Sequence, residues 1–477
     1  MSEKSQYAAK SSSADVTLNG NGLPVGRAID EEKQLGRSKE QGKQEDYEQV
    51  VHAEYEESTG PEDVTGEPAV RIDSVNNLDT IPNGGLRAWC QVAGSFFLFF
   101  NTWGIINSFG VFQAFYTTDF LKSMTPSTIA WIGSIQAFLL LMVGALTGPL
   151  YDAGYFRWLL RIGSVLIVFG MMMLSLATTY WQALLAQAIC VGLGMGCLFV
   201  PSVAILSTYF TTKLAFAMGL AASGSSFGGI IYPILLNKLI PKLGFGWSVR
   251  IFAFIAMATL IVPNTFMRVR VLPDEKRKLY DMTAWRERPF VYYVIGGFFG
   301  FMGLYCPFYY MQSFSLYHGI ADKELAFYFL AIINAASTFG RILPNFVADK
   351  AGPLNILMPC AVLTGVVELG LIGCRDLASL IVICVLFGFF SGTFVSLSPA
   401  ALVQITRNRG MIGTRMGMCF TVTSFGTLVG MPIAGAILTA SSYTYIWVFG
   451  GVLTIVGASF MATARVAHVG WGLTTKA

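Results

Sequence analysis

The sequence predicts an all-α membrane protein with twelve transmembrane helices in two pseudo-symmetric six-helix halves. Three observations support this: a membrane-like composition, twelve apolar segments of spanning length, and a repeat of landmark residues at a fixed offset. Of the 477 residues, 54% are hydrophobic and only 13% are charged. A soluble protein carries about a quarter charged residues, so contact with lipid explains the deficit better than an oversized core.

Charge is unevenly distributed along the chain. Residues 1–86 contain 8 Lys/Arg and 17 Asp/Glu, a net of −9, which leaves 24 − 11 = +13 for the remainder. Because this first segment is polar and rich in Ser, Gly and Glu, we expect a disordered acidic cytoplasmic tail. No cleavable signal peptide is recognisable at Met1, so the first membrane helix is expected to serve as the signal.

Twelve segments reach the length of about 20 apolar residues that a helix needs to cross a bilayer. They lie near 88–115, 127–150, 158–178, 182–207, 214–238, 248–267, 290–316, 325–347, 354–374, 378–402, 412–438 and 444–464. Several contain proline, which a packed membrane bundle tolerates. The predicted organisation is therefore a six-helix bundle over 87–267, a cytoplasmic linker over 268–289, a second bundle over 290–465 and a C-terminal tail over 466–477.

The loops between the spans indicate the orientation. If the N-terminus is inside, the inner segments collect seventeen Lys/Arg and the outer segments six. Because positively charged loops stay cytoplasmic, we expect both termini in the cytosol of a multi-pass plasma-membrane protein.

The two sets of six spans repeat one another. At an offset of 198 residues, Gly154 matches Gly352, Pro201 matches Pro399, and the Ser-Phe-Gly at 226–228 matches that at 424–426. A shared offset across several helices indicates a duplicated unit. Secondary transporters are often built from parallel halves of this kind, with the substrate site at their interface near mid-membrane.

The inner loop between the second and third span of each half carries a charged motif. The first reads GPLYDAG over 148–154 and is followed by Arg157; the second reads NFVADKAG over 345–352. This pattern resembles the loop signature of the major facilitator superfamily. The resemblance implies that Asp152, Arg157, Asp349 and Lys350 form a latch that closes the cytoplasmic side. A simple helix cap with a positive-inside anchor is the alternative.

The segment before the first span carries a narrower resemblance. Asn83-Gly84-Gly85-Leu86-Arg87-Ala88-Trp89, the following GSFFLFFNTWGIINSFGVFQAFY and the stretch from Tyr209 to Gly229 are similar to the monocarboxylate porter branch of that superfamily, in particular to its fungal members. The resemblance covers about residues 82–465. The chain departs from the pattern at Asn83, where the branch usually has an acid.

Ionisable residues inside the spans are functional candidates because they are energetically costly in lipid. The resemblance implies that Arg341 meets a substrate carboxylate, although it could instead join the Asp349 latch. The branch's helix 1 lysine and helix 8 aspartate align with Asn107 and Ser337, so inherited proton-monocarboxylate symport is not expected. Glu368 could couple transport to protons, or it could be an outer-end residue that reaches the headgroups.

Uncharged polar and aromatic residues in the spans could line a cavity for an aromatic ligand. Beside Arg341, we predict that substrate is bound by Asn107, Asn334, Trp103 and Tyr309. Other polar residues of the spans are expected to make hydrogen bonds between helices.

The sequence disfavours other functional classes. It has no phosphate-binding GxxxxGK[ST] loop and no cluster of catalytic residues within the spans. The eight cysteines form no CxxC pair, so we expect no metal and no cofactor. The prediction is a monomeric, non-enzymatic secondary transporter that moves a small organic solute in a lipid bilayer and binds no nucleic acid. Export of an organic acid or secondary metabolite is favoured, with uptake of a monocarboxylate or vitamin-like nutrient, or a non-transporting sensor, as alternatives.

Overall fold

The computed structural model describes residues 81–270, 280–406 and 411–472, except for the side chains of Asp152 and Lys323. Within these ranges the chain is helical and forms no strand. The predicted disorder of the acidic tail concerns a segment that lies almost wholly outside the described residues. The same holds for the centre of the linker and the last five residues.

The described ranges contain eleven helices that are long and apolar enough to cross a membrane. The longest, Leu214–Phe266, has 53 residues and would be about 80 Å long if straight, far more than the ~30 Å hydrocarbon layer. Its backbone breaks at Gly244 (φ 75°, ψ 169°), a conformation that favours glycine. The ring of Tyr232 then stacks on Phe252 with centroids 3.8 Å apart. The chain folds back at Gly244, and this helix comprises two spans.

The twelve predicted spans are thereby confirmed. They are α1 (Leu86–Phe120), α2 (Pro126–Leu150), α3 (Phe156–Leu174), α4 (Tyr180–Ser207), α5 (214–243), α6 (245–266), α7 (Arg288–Tyr317), α8 (Glu324–Ala351), α9 (Pro353–Gly373), α10 (Leu377–Ile405), α11 (Ile412–Ala440) and α12 (Tyr443–Val469). α12 continues to Val469, four residues beyond the predicted end of the second bundle.

The helices of the two halves pack in the same pattern. α1 packs on α5 as α7 packs on α11, α2 packs on α4 as α8 packs on α10, and α3 packs on α6 as α9 packs on α12. The sequence repeat is therefore also a structural repeat. Because the number of spans is even, α1 begins and α12 ends on one face of the bundle, which we call the terminal face; the other is the opposite face.

Two antiparallel helix pairs join the halves. On the α2–α11 side, the Ser127 hydroxyl donates to the Pro432 carbonyl at 3.0 Å near the opposite face. On the α5–α8 side, glycines allow close approach: a Cβ at Gly219 would overlap the backbone of Arg341, and one at Gly229 would overlap Asn334. The halves are consequently packed together from one face to the other.

α1 and α7 are interrupted near the middle of the bundle. α1 breaks at Thr102 (φ −109°, ψ −87°) and turns again at Ser108, whereas α7 breaks at Tyr305, just before Cys306 and Pro307. Proline lacks an amide donor and disrupts a helix at this position. These interruptions lie where the two halves meet, which places irregular backbone next to the central cavity.

Candidate functional site

A cavity lies between the halves at the level of the helix interruptions. Helices α1, α2, α4 and α5 of the first half and α7, α10 and α11 of the second contribute to it. Its lining residues are Phe99, Trp103, Leu141, Phe199, Val203, Leu206, Met218, Ala222, Phe301, Val395, Ser396, Ser398, Pro399 and Phe420. Only the two serines carry polar side-chain groups apart from the indole of Trp103, so the cavity is apolar and rich in aromatic rings.

The cavity is nearly closed in this conformation. Its free volume is about 20 Å³, which is room for about one water molecule. The rings of Trp103, Phe199 and Phe420 account for much of the closure, since Phe199 lies 5.6 Å from Trp103 and 5.4 Å from Phe420. The halves or these side chains must therefore move before an organic molecule fits.

Trp103, which sequence analysis predicted to bind substrate, lies in the cavity wall. Its ring is stacked on Tyr305 of α7, with centroids 6.0 Å apart and planes 6° from parallel. The Trp103 indole nitrogen has no hydrogen-bond partner among the described residues. Because a buried donor normally finds an acceptor, this N–H is available to a bound molecule.

Arg341 of α8 borders the cavity without lining it. Its side chain is 3% exposed, its Nε donates to the Ser337 hydroxyl at 3.0 Å and its Nη1 donates to the Ala222 carbonyl at 3.4 Å. Ala222 belongs to the cavity wall. Within the described residues no carboxylate forms an ion pair with Arg341, so its charge is held by neutral acceptors.

Asn107 and Asn334 form a direct bridge between the halves. The Asn107 side-chain amide of α1 donates to Asn334 Oδ1 of α8 at 3.2 Å, and the Asn334 amide donates to the Leu330 carbonyl at 2.9 Å. Both side chains are buried. Sequence analysis predicted them to bind substrate, and the structure brings them together, outside the residues that line the cavity.

Tyr309 lies farther toward the opposite face than the cavity. Its ring packs 5.1 Å from Phe109 of α1, and its hydroxyl lies so close to Gly133 of α2 that a Cβ there would overlap it. Tyr309 therefore seals the bundle between α7 and the first half on that side, and it is not among the cavity-lining residues.

Asp349, one of the predicted latch residues, caps a helix of the first half. Its Oδ1 accepts from the Ala215 amide at 2.9 Å and its Oδ2 accepts from the Phe216 amide at 3.1 Å. Both amides belong to the first turn of α5, which carries a partial positive charge. A carboxylate of the second half thus holds a helix end of the first half on the terminal face.

The other predicted latch residues are placed differently. Lys350 is exposed, with its ammonium group 5.4 Å from the centre of the Phe346 ring. Arg157 is exposed and lines a cleft with Arg161 and Arg268. Among the described side chains neither base forms an ion pair. The side chain of Asp152 lies outside the described part of the chain, so its role remains a prediction.

Glu368 does not reach the headgroups, contrary to the alternative considered from the sequence. It is 0% exposed because α9 turns this position inward, where its carboxyl group lies against Gly450 of α12, beside Cys306 of α7. Neither carboxyl oxygen has a hydrogen-bond partner among the described residues, and the nearby Thr454 hydroxyl also lacks one. A carboxyl group in such surroundings is costly unless it is neutral or becomes paired.

An ion cluster that sequence analysis missed ties the end of the linker to α11. Arg415 is 4% exposed; its Nε donates to Asp281 at 3.0 Å, and its Nη1 and Nη2 donate to Glu287 at 2.8 and 2.6 Å. Burial alone would raise the pKa of Asp281, but hydrogen bonds from Thr283 and Arg415 outweigh it and hold that pKa below its usual value. Sequence analysis included Arg415 only among the Lys and Arg residues that give the inner segments their positive charge.

Asn83 shows why the departure from an acid is tolerated. Its side-chain oxygen accepts from the Thr211 amide at 2.7 Å and hydroxyl at 2.9 Å, and from the Thr212 amide at 3.0 Å and hydroxyl at 3.2 Å. An amide oxygen thus supplies the acceptor that a carboxylate would supply. Trp89 packs on the same loop, 5.3 Å from Phe210, so the motif anchors the start of α1 to the loop before α5.

The sequence is similar to that of known membrane transporters. Residues 92–413 match the sequence profile described as Major Facilitator Superfamily. The chain is 50% identical over 385 residues to the MFS-type transporter dbaD of Emericella nidulans, covering 80% of this chain and 87% of that protein. It is 38% identical to the aspyridones efflux protein apdF of the same organism, covering 80% and 78%. It is 36% identical to the agnestins efflux protein AgnL12 of Paecilomyces divaricatus, covering 82% and 90%.

Proposed function

Because the chain belongs to the major facilitator superfamily and is therefore a membrane transporter, we propose that it exports a small aromatic metabolite by alternating access. In this proposal the terminal face is cytosolic, as the positive-inside bias indicates, and the membrane is the plasma membrane. The transporter works as a monomer, because one chain supplies the cavity and the contacts that close it on both faces.

The lining of the central cavity is the observation on which the choice of cargo rests. Phenylalanine, tryptophan and aliphatic side chains from both halves surround it, and none of the described side chains that line it is charged. Such a surface binds rings through apolar burial and stacking, whereas a strongly hydrated sugar or ion would leave its polar groups unpaired. An aromatic or fused-ring metabolite fits this chemistry.

Export is favoured by the relatives. Two of them are named as efflux proteins, for aspyridones and for agnestins, and each is similar to this chain over about four fifths of its length. The proposed cargo belongs to the same broad class, secondary metabolites.

Because of Arg341, we further propose that the cargo is acidic. The guanidinium group contacts only a hydroxyl and a carbonyl, through Ser337 and Ala222. A buried cation without a paired anion is costly in a bilayer, and its planar fork of donors suits a carboxylate or enolate. Rotation of the side chain past Ala222 would bring these donors to the cavity, so an acidic oxygen on the ring system would be held there.

Uptake of a simple monocarboxylate is the second candidate, and it is supported by the same arginine. The two candidates differ in the size of the cargo. A small carboxylate would bind Arg341 but would leave most of the aromatic lining of the cavity without contact. Discrimination between the two therefore depends on whether transport increases with the apolar area of the cargo.

The alternating motion is proposed to break one set of contacts between the halves at a time. On the terminal face, Asp349 holds the first turn of α5. On the opposite face, Ser127 bonds Pro432 and Tyr309 seals against Gly133. Both sets are present together, so this conformation is an occluded intermediate, and release of either set would open a path to one side.

Glu368 is proposed to couple transport to protons. Its carboxyl group lies between α7, α9 and α12, without a described hydrogen-bond donor. A rearrangement of these helices that admitted water would let the group release a proton, and closure would require it to be protonated again. The coupling residue would then lie within the second half, apart from the cavity.

Flux into proteoliposomes tests the proposal. Purified protein is assayed with planar aromatic acids of increasing ring number, their methyl esters, and small aliphatic carboxylates. We expect transport of the aromatic acids, at least tenfold slower transport of them by Arg341→Gln, and no effect of that variant on the esters. Fast transport of aliphatic carboxylates alone would favour uptake of a monocarboxylate, and transport of no solute would refute the assignment.

A further inference from the structure

A cleft on the terminal face of the first half is lined by three arginines. It lies between the start of α3 and the end of α6, has a volume of about 170 Å³, and is lined by Arg157, Leu160, Arg161, Asn264, Thr265, Met267 and Arg268. No acidic residue is among the described side chains that line it. Among the described residues, none accepts a hydrogen bond from these three guanidinium groups, so their donors are available to an external anion.

The backbone around the cleft is held in place independently of any ligand. The Arg268 amide donates to Gln91 of α1 at 3.1 Å, and the Arg268 carbonyl accepts from the Tyr209 hydroxyl at 3.0 Å. The Asn264 side-chain amide donates to the Ser164 hydroxyl at 2.9 Å, which joins α6 to α3. The backbone of Arg268 and the contact between α6 and α3 are therefore held by the chain itself.

The second half provides an internal comparison. At the offset of 198 residues, Arg157 corresponds to Asn355 and Met267 corresponds to Arg465. Arg465 is 1% exposed, and its guanidinium donates to Asn355 at 2.9 Å and to the carbonyls of Gly470 and Gly472. The equivalent corner of the second half is therefore filled by its own arginine, which the chain itself satisfies. The corner of the first half is open, and its three exposed guanidinium groups donate to no described residue.

The cleft borders the lipid-facing surface. Trp158 is 60% exposed and Ile162 49% exposed on α3, and Ile261 is 58% exposed on α6. The Arg161 guanidinium lies 5.9 Å from the centre of the Trp158 ring. Tryptophan beside arginine at the end of a spanning helix is typical of the headgroup level, so a ligand in this cleft would have apolar surface next to it for acyl chains.

We propose that this cleft binds the phosphate headgroup of an anionic phospholipid in the leaflet at the terminal face. The recognised chemistry is a phosphate ester, for which arginine provides bidentate hydrogen bonds. A free phosphate would satisfy the same donors, but it would not use the adjoining apolar faces of α3 and α6. Basic clefts between spanning helices are suited to such headgroups.

Native mass spectrometry of the purified full-length protein tests this site. Phosphatidylinositol is titrated against the wild type, the Arg161→Gln/Arg268→Gln double variant, and Arg286→Gln. Arg286 is an exposed cation at the end of the linker, outside the cleft, and its variant controls for loss of one charge. We expect the double variant to need at least tenfold more phosphatidylinositol for half occupancy, with Arg286→Gln unchanged and zwitterionic phosphatidylcholine binding equally weakly to all three.

Two further measurements complete the test. Thermal unfolding without added lipid should give the same midpoint for all three proteins, and an Arg161→Lys/Arg268→Lys variant, which keeps the charge and the fold, should lose affinity by a smaller factor. Equal phosphatidylinositol binding by wild type and double variant would overturn the proposal. Full displacement of the lipid by inorganic phosphate at equal concentration would also overturn it, by showing that the acyl chains contribute nothing.

Discussion

The carboxylate of Asp349, near the end of α8, accepts a 2.9 Å hydrogen bond from the backbone amide of Ala215 in the first turn of α5. The two residues belong to different halves of the transporter. A helix N-terminus with unsatisfied amides is stabilised by an anion. This contact is therefore a charge-dependent interaction between two halves that must separate on this face during transport.

Removal of that charge is expected to loosen the terminal face. Asp349→Asn keeps the size of the side chain but removes the charge and weakens both hydrogen bonds, at a cost of about 1 kcal/mol, which corresponds to a shift in the closed population of roughly 5-fold. Hydrogen–deuterium exchange of residues 211–218 should accelerate, and net transport should slow.

Asp322→Asn is the matched control for this prediction. Asp322 caps α8 through the Leu325 amide at 2.8 Å on the opposite face and within its own helix. This variant likewise removes a negative charge from a helix N-terminus, and it should have no effect on exchange at α5. Equal changes at residues 211–218 in both variants would contradict a specific role for Asp349.

Asn83 contributes a side-chain acceptor and an unusual backbone conformation, and substitutions can test the two separately. Its φ is +50°, which glycine adopts freely and asparagine tolerates. Asn83→Gly keeps the conformation and loses the acceptor for Thr211 and Thr212, so we expect a loss of stability of about 1–2 kcal/mol. Asn83→Asp keeps an acceptor and should match the wild type. The measurement is the midpoint of thermal unfolding of each variant in detergent. An equal midpoint for Asn83→Gly and the wild type would refute the anchoring role.

The Asp281–Arg415 contact predicts a pH dependence with a definite sign. The folded-state pKa of Asp281 is held below its usual value, near 3.9 in the unfolded chain. Its stabilising contribution is therefore fully present above about pH 4 and is lost as the pH falls through the folded-state pKa. The difference in unfolding midpoint between wild type and Asp281→Asn should be constant from about pH 5 to 8 and shrink below about pH 4.

Glu287→Gln serves as the comparison for that experiment. The Glu287 side chain is 34% exposed, compared with 7% for Asp281, so water replaces part of what the ion pair provides. Its variant should lose less stability at neutral pH than Asp281→Asn. Arg415→Met should lose more than either, about 3 kcal/mol, because it leaves Asp281 buried without its cation. A pH-independent difference for Asp281→Asn would exclude the ion pair as the cause.

Glu368→Gln tests proton coupling without a change of shape. A neutral amide fits the same space, so we expect the variant to fold with unchanged or higher thermal stability, since no ionised form is buried. Transport driven by an imposed pH gradient should be lost, while counterflow exchange of cargo should persist. An unchanged response to the pH gradient would show that Glu368 is a structural residue.

The sequence alone determined the number of spans, their approximate ends and the duplication, because each of these depends on local composition or on a fixed spacing along the chain. The family was recognised from the resemblance of the loop motifs. Hydrophobic length and the cost of exposed backbone in lipid leave few alternatives to a spanning helix. The motif repeated at one offset also placed Asp349 near the end of a span, but the α5 amides that it contacts were not predictable from the motif.

Only the tertiary structure decided which side chains meet. Asn107 and Asn334 are 227 residues apart, and Arg415 is 134 residues from Asp281; no periodicity along the chain encodes such contacts. The orientation of Glu368 toward α12, the placement of Tyr309 beyond the cavity, and the gathering of three arginines between α3 and α6 depend on how each helix is rotated against its neighbours. That rotation is set by close packing across the whole bundle, and the order of residues within one segment does not specify it.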